Sequence, residues 1–169
     1  MNDLLARLAP SGARVGKSEP QPLWPILQAA IAPKGSDREV NLAGDSRLWA
    51  IVDAAALEQA VGHLVQNALE ASGEGEPVAV RLTGGEGSVS IEITDRGCGM
   101  DAEFVRNRLF QPFASTKESG FGIGAFEAQS LITAMQGKIS VDSRPGAGTT
   151  FTITLPAAEP AQETERKYA

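Results

Sequence analysis

The chain has 169 residues, 42% of them hydrophobic and 21% charged, which is enough for one domain with a proper core and ordinary for a soluble globular protein. A net charge of −6 speaks against general binding to nucleic acid or anionic membrane, because neither is steered toward an acidic surface, while a nucleotide needs only a local positive site. The single cysteine, Cys98, cannot form an internal disulfide and reads as cytosolic; no apolar run reaches the ~18 to 20 residues of a membrane span, and the N-terminus lacks the pattern of a signal peptide.

In chain order, residues 2–9 read as the last turns of an amphipathic helix, followed by a Pro/Gly/Ser-rich linker from Pro10 to Pro22. Within that linker, Gly12 to Ser18 looks like a P-loop but fails on count. Ser11 stands where the motif needs glycine, and the stretch runs into Glu19-Pro20 rather than a helix. A short helix is predicted near Leu23–Ile31, then two short strands, Val40–Leu42 and Trp49–Val52, around a loop at Gly44–Asp45.

Residues 54–71 carry the strongest helical signal. Leu57, Val61, Leu64, Val65 and Ala68 form an apolar stripe. Gln59, His63, Gln66, Asn67 and Glu70 form a second, polar one at the same period. A solvated stripe would hold Lys and Arg; amides, a histidine and a carboxylate suit a site better.

Alternating segments Val78–Leu82 and Val89–Thr94 read as a hairpin over the turn Gly84–Gly87. A short helix is predicted around Ala102–Leu109, then a loop from Phe110 to Gly120. A longer helix runs from near Gly122 to a C′ glycine at Gly137. Lys138–Asp142 and Thr149–Leu155 form a second hairpin, and residues after Pro156 read as a frayed tail. Helices interleaved with antiparallel hairpins predict a two-layer α/β sandwich rather than strict βαβ winding.

Four clusters in fixed order carry the chemistry: Asn67; Asp95-Arg96-Gly97-Cys98-Gly99; Phe110-Gln111-Pro112-Phe113; and Gly120-Phe121-Gly122-Ile123-Gly124. A carboxylate at the end of a strand, beside glycines that permit close approach, can accept a hydrogen bond from an exocyclic amine such as that of adenine. The same aspartate could instead cap the helix near Asp101. The second glycine cluster opens a helix, where free N–H groups make an anion site, though glycine triplets also mark ordinary loops. Lys117 could add a compact positive charge for a terminal phosphate or simply be solvated. Asn67 offers an amide oxygen that a hard Mg²⁺ accepts; otherwise it is a satisfied polar residue between helix and sheet.

Together and in this order the clusters resemble the N, G1, F and G2 boxes of the histidine kinase catalytic domain, in the wider family that includes DNA gyrase and Hsp90. The stretch SGFGIGAFEAQSLITAMQGKISVDSRPGAGTTFTITLP is the most specific part, and the match covers roughly residues 38–156. The short lid ASTKESG is similar to that of the nitrogen-regulation class of sensor kinases, and GFGIGAFEAQ to the PrsK kinases of PEP-CTERM systems. The resemblance implies a Bergerat-type (GHKL) sandwich: a mixed, mostly antiparallel sheet with helices on one face. It divides the chain into the end of a dimerisation helix and linker (1–22), an ATP-binding domain (23–156) and a flexible tail (157–169).

By the same resemblance, ATP and Mg²⁺ are the cofactors, Asn67 holds the metal, and Asp95 reads adenine. Glu70, Gly97, Gly99, Phe113, Thr116, Lys117, Gly120, Gly122, Ile123, Gly124 and Thr149 complete the nucleotide site, with Phe110 and Phe113 anchoring the lid. His63, Asn67 and Lys117 are the candidate catalytic residues. The γ-phosphate would pass to a histidine on a dimerisation domain absent from this chain, and from there to a response regulator. The implied fragment is a monomeric cytoplasmic domain of a homodimeric parent associated with the inner membrane. Other readings are a gyrase-type ATPase, or a module that binds nucleotide or protein without transfer.

His63 departs from the pattern. Histidine kinases commonly carry Asn there, and the gyrase and Hsp90 branches a Glu that activates water, so efficient ATP hydrolysis is not expected. His63 is the only histidine, lies inside the ATP-site helix and is followed by Leu64 rather than an acid. It is therefore read as a phosphate-side donor or a structural imidazole, not as the phospho-acceptor, and the chain is not expected to autophosphorylate alone. Cys98 reads as a small residue in a tight turn, with a reactive thiol as the other reading.

Overall fold

A computed structural model describes residues 15–33, 39–111 and 124–160. Among these residues, seven strands, β1 (Glu19–Pro22), β2 (Val40–Gly44), β3 (Trp49–Val52), β4 (Val78–Gly84), β5 (Ser88–Asp95), β6 (Lys138–Arg144) and β7 (Gly148–Ala158), are interleaved with four helices. The helices are α1 (Leu23–Ile31), α2 (Ala54–Ala71), α3 (Ala102–Asn107) and α4 (Gly124–Ala134). The sheet runs β1-β3-β7-β5-β4-β2, with β6 paired to β7 beside this path. Only the pair β2–β4 is parallel. The helix expected over residues 2–9 lies outside the described residues.

Period-2 alternation makes the sheet two-faced. In β5, Val89, Ile91 and Ile93 are buried, as are Phe151, Ile153 and Leu155 of β7. The intervening Ser90, Glu92, Thr94, Thr150, Thr152 and Thr154 stay accessible. The helices cover the apolar face, giving the expected two-layer sandwich with a mixed, mostly antiparallel sheet. None of the described helices is long and apolar enough to cross a membrane.

Helix α2 is the centre of the helical layer, packed against α1, α4 and three strands, β4, β5 and β7. Its predicted stripe is fully buried at Leu57, Val61, Leu64 and Val65. Ala56, Ala60, Gly62, Ala68 and Leu69 are buried too, because neighbouring helices approach where the side chains are small. Asp53 caps its start, accepting from Ala55 N (3.0 Å) and Ala56 N (3.3 Å), and also from Gly16 N, which ties the incoming chain to the helix.

Three expectations are corrected. Glu19–Pro22, read as linker, forms the edge strand β1, antiparallel to β3; proline is tolerated there because an edge strand needs N–H donors on one side only. Both strands expected around Gly44 form, with separate partners: β2 lies parallel to β4, while β3 joins β1 and β7. The chain read as a tail after Pro156 continues in β7 to Ala158, where Ala157 and Ala158 pair with β3. Sheet pairing therefore extends beyond the 23–156 expected for the domain at both ends. Finally, α4 closes with a left-handed Gln136 (φ 61°). Gln136 N bonds Thr133 O and Gly137 N bonds Ile132 O, the paired bonds of a Schellman motif with Gln136 at C′. Gly137 is kept for space instead, since a Cβ there would stand 2.8 Å from Leu155 and 2.9 Å from Ile132.

Truncating the centre of α2 should therefore be costly. Leu64→Ala is expected to lower unfolding free energy by about 2–5 kcal/mol in urea titrations. Ile51→Ala, at a side chain 40% exposed, should change it by no more than about 0.5 kcal/mol.

Candidate nucleotide site

The alternation that buries Val89, Ile91 and Ile93 continues to Asp95, the last residue of β5, which is 4% exposed. A carboxylate thus occupies a position where the pattern calls for an apolar side chain. Burying it is unfavourable unless it is hydrogen-bonded, and Gly97 N donates to its Oδ1 at 2.8 Å. Asp95 does not cap the following helix. Asp101 does so itself, accepting from Phe104 N at 2.8 Å, which removes the capping reading for Asp95.

Directly across the ladder from Asp95 stands Thr149, also buried. Ser143 pairs with Thr149 on its other side, their hydroxyl oxygens 2.7 Å apart, and Met100 N donates to Ser143 Oγ at 2.8 Å. Asp95, Ser143, Gly148 and Thr149 contribute to the walls of a cavity of about 160 Å³ at this end of the sheet. Ser143 was not singled out from sequence; its only signal was its place in the alternation of β6.

Two glycines of the aspartate cluster are fixed by close packing. A Cβ on Gly97 would fall 2.3 Å from Ala71 O at the end of α2. One on Gly99 (φ 69°) would fall 1.9 Å from Arg144 O. The loop after β5 is thereby wedged between α2 and the β6–β7 turn, where Gly146 N also donates to Cys98 O at 2.7 Å. Cys98 is exposed.

The polar stripe of α2 divides in two. Gln66 and Glu70 face solvent, with Gln66 Nε2 donating to Glu70 Oε1 at 3.1 Å. Gln59, His63 and Asn67 are half-buried. Asn67 lies one turn before Ala71, so the amide and the Gly97 loop meet the same end of the helix, roughly 6 Å apart along its axis. The first residue of α4, Gly124, packs on that amide: a Cβ there would stand 3.3 Å from both Asn67 Nδ2 and Oδ1. His63, one turn earlier, meets Glu127 of α4, with Nε2 2.5 Å from Glu127 Oε2. Sequence reasoning missed Glu127, although it is the one carboxylate in an otherwise uncharged helix.

Phe110, where the expected lid begins, stacks edge-on against Phe151 with ring centroids 6.5 Å apart. Phe113, Thr116, Lys117, Gly120, Gly122 and Ile123 lie outside the described residues. Among the described residues, no group of three His, Cys, Asp or Glu side chains is placed to hold a metal ion. The Asn67 amide oxygen, half-buried beside Gly124, is a donor of the kind a hard Mg²⁺ accepts.

Residues 52–159 match the family described as histidine kinase-, DNA gyrase B-, and HSP90-like ATPase. The C4-dicarboxylate transport sensor protein DctS of Rhodobacter capsulatus is 36% identical over 94% of this chain, and the chain spans 25% of that protein. Among solved structures, a mycobacterial sensor histidine kinase, MprB, superposes with a TM-score of 0.75 at 25% identity, covering 85% of this chain and 99% of the other. Full-length ShkA, solved in complex with AMPPNP, gives 0.75 at 27% identity over 95% of this chain and 36% of its own.

The wedge around the aspartate loop has a direct test. Gly99→Ala should lower the thermal midpoint by about 3–8 °C, because strain at positive φ adds to a backbone clash. Gly73→Ala, where nothing lies within 4 Å, should leave it unchanged within error.

Proposed function

The chain belongs to the histidine kinase-, DNA gyrase B- and HSP90-like ATPase family, and from that premise we propose that it binds MgATP and transfers the γ-phosphate to a histidine on a dimerisation domain outside this chain. The observation that carries this reading is Asp95: a buried carboxylate at a strand end, walled by Thr149 and by glycines that no larger residue could replace. Asp95 accepts from the adenine amine, Thr149 lies beside it, and Gly97 and Gly99 shape the wall. At the other end, Asn67 offers its oxygen to Mg²⁺ and Gly124 brings the N-terminal end of α4 close to the phosphates.

Gly120, Gly122 and Ile123 continue that phosphate loop, and Phe113, Thr116 and Lys117 belong to the lid that closes over it. Bound Mg²⁺ supplies charge neutralisation on the phosphates. The protein's own contribution is positioning: a nitrogen of the acceptor histidine forms a bond to phosphorus while the β–γ bridging bond breaks and ADP leaves. A response regulator would take the phosphoryl group next, and the parent protein would act as a homodimer. In this reading His63 is not the acceptor, which the burial of its Nε2 supports.

Calorimetric titration with a non-hydrolysable ATP analogue, with and without Mg²⁺, tests the reading. Saturable, Mg²⁺-sensitive binding is expected. Asp95→Asn should weaken it about 10- to 100-fold, the worth of a hydrogen bond to a charged group. Undiminished affinity in that variant would remove the adenine-reading role. Steady phosphate release without an acceptor would favour a gyrase-type ATPase instead.

A further inference from the structure

Helices α2 and α4 touch through two rungs. Gly124 lies on the amide of Asn67, and Glu127 lies on His63. The first member of each rung moves forward three residues along α4 as the second moves back four along α2, so the helices are antiparallel here and one helical turn separates the rungs. Whatever sets the second rung therefore also sets where α4 sits on Asn67.

The second rung is specific and costly to break. The Glu127 side chain is 12% exposed and that of His63 31%. His63 Nε2 is buried, and among the described residues it is the Glu127 carboxylate that stands within ion-pair distance of it. A carboxylate oxygen attracts an imidazole nitrogen that carries a proton. Glu127 also stands in the first turn of α4, where the helix dipole favours a negative charge. Removing either partner leaves a buried polar group uncompensated, whereas removing both does not.

We propose that Glu127 is a positioning residue: through His63 it fixes the register of α4 on α2, and so holds the Asn67 amide where the metal–phosphate end of the nucleotide binds. The inference rests on the reading of Asn67 given above. It assigns Glu127 no contact with nucleotide. A change at Glu127 should therefore be felt in the metal-dependent part of nucleotide affinity and not in the adenine-dependent part.

The test uses the whole chain, AMPPNP with and without Mg²⁺, and three variants: Glu127→Gln, His63→Leu and the double substitution. Each is first checked for folding by thermal unfolding. The gain in affinity that Mg²⁺ confers should fall about tenfold in each single variant and no further in the double, as for coupled neighbours. Metal-free affinity should be unchanged in Glu127→Gln. Without ligand, the side-chain amide ¹⁵N–¹H signals of Asn67 should shift in Glu127→Gln. A variant that loses stability and both affinities together would reduce the pair to a structural role and overturn the proposal. So would an unchanged Mg²⁺ gain with unmoved Asn67 signals. Absence of AMPPNP binding by the unsubstituted chain would instead overturn the functional reading itself, and with it the role assigned to Asn67.

Discussion

Everything in this domain is arranged around the burial of α2. The helix is covered by the sheet on one side and by α1 and α4 on two others, and between its exposed face, with Glu58, Gln66 and Glu70, and its buried one runs a narrow polar strip. Gln59, His63 and Asn67 line that strip at four-residue intervals, half-buried. A polar group in such a place is held by its neighbours rather than by water, which is what a binding amide needs. The small residues Ala56, Ala60, Gly62 and Ala68 make this possible, because they let the flanking helices come close enough to confine the strip.

The two ends of the site are built by opposite means. At the aspartate end, backbone meets backbone: Gly97 lies against Ala71 O and Gly99 against Arg144 O, with no space for a side chain. Such a wall is stiff, because moving it means moving a strand or a helix. At the asparagine end, helix meets helix through side chains, Glu127 on His63 and Gly124 on Asn67. That contact is adjustable in the way helix packing is, by rotation and sliding. On the proposed reading, the stiff wall would hold the base and the adjustable contact the phosphates.

Much of this was legible in the sequence, and what was legible was local. Helix Leu23–Ile31 and helix Ala54–Ala71 follow from their apolar periods, and Asp95 stood out as a carboxylate closing an alternating strand. What was not legible depended on distant partners. The pairing of β2 with β4, in parallel and across α2 in sequence, leaves no local trace. Ser143 gains significance only from lying beside Thr149, and Glu127 only from meeting His63. The Schellman turn at Gln136 was misassigned because glycine is the usual left-handed residue, and here the glycine next to it serves packing. Strand β1 was missed because its two prolines read as breakers.

Those prolines shape more than the end of the sheet. Leu23 N donates inward to Leu48 O, so in β1 the residues in phase with it, Glu19 and Gln21, turn their N–H groups toward β3. Pro20 and Pro22 fall on the opposite phase and face the open margin. A stray strand approaching from outside would find carbonyl oxygens there but no amide hydrogens from these two residues, and a ladder cannot be laid down on acceptors alone. The edge closest to the incoming chain is thus chemically blunt: it ends the sheet and guards against unwanted polymerisation.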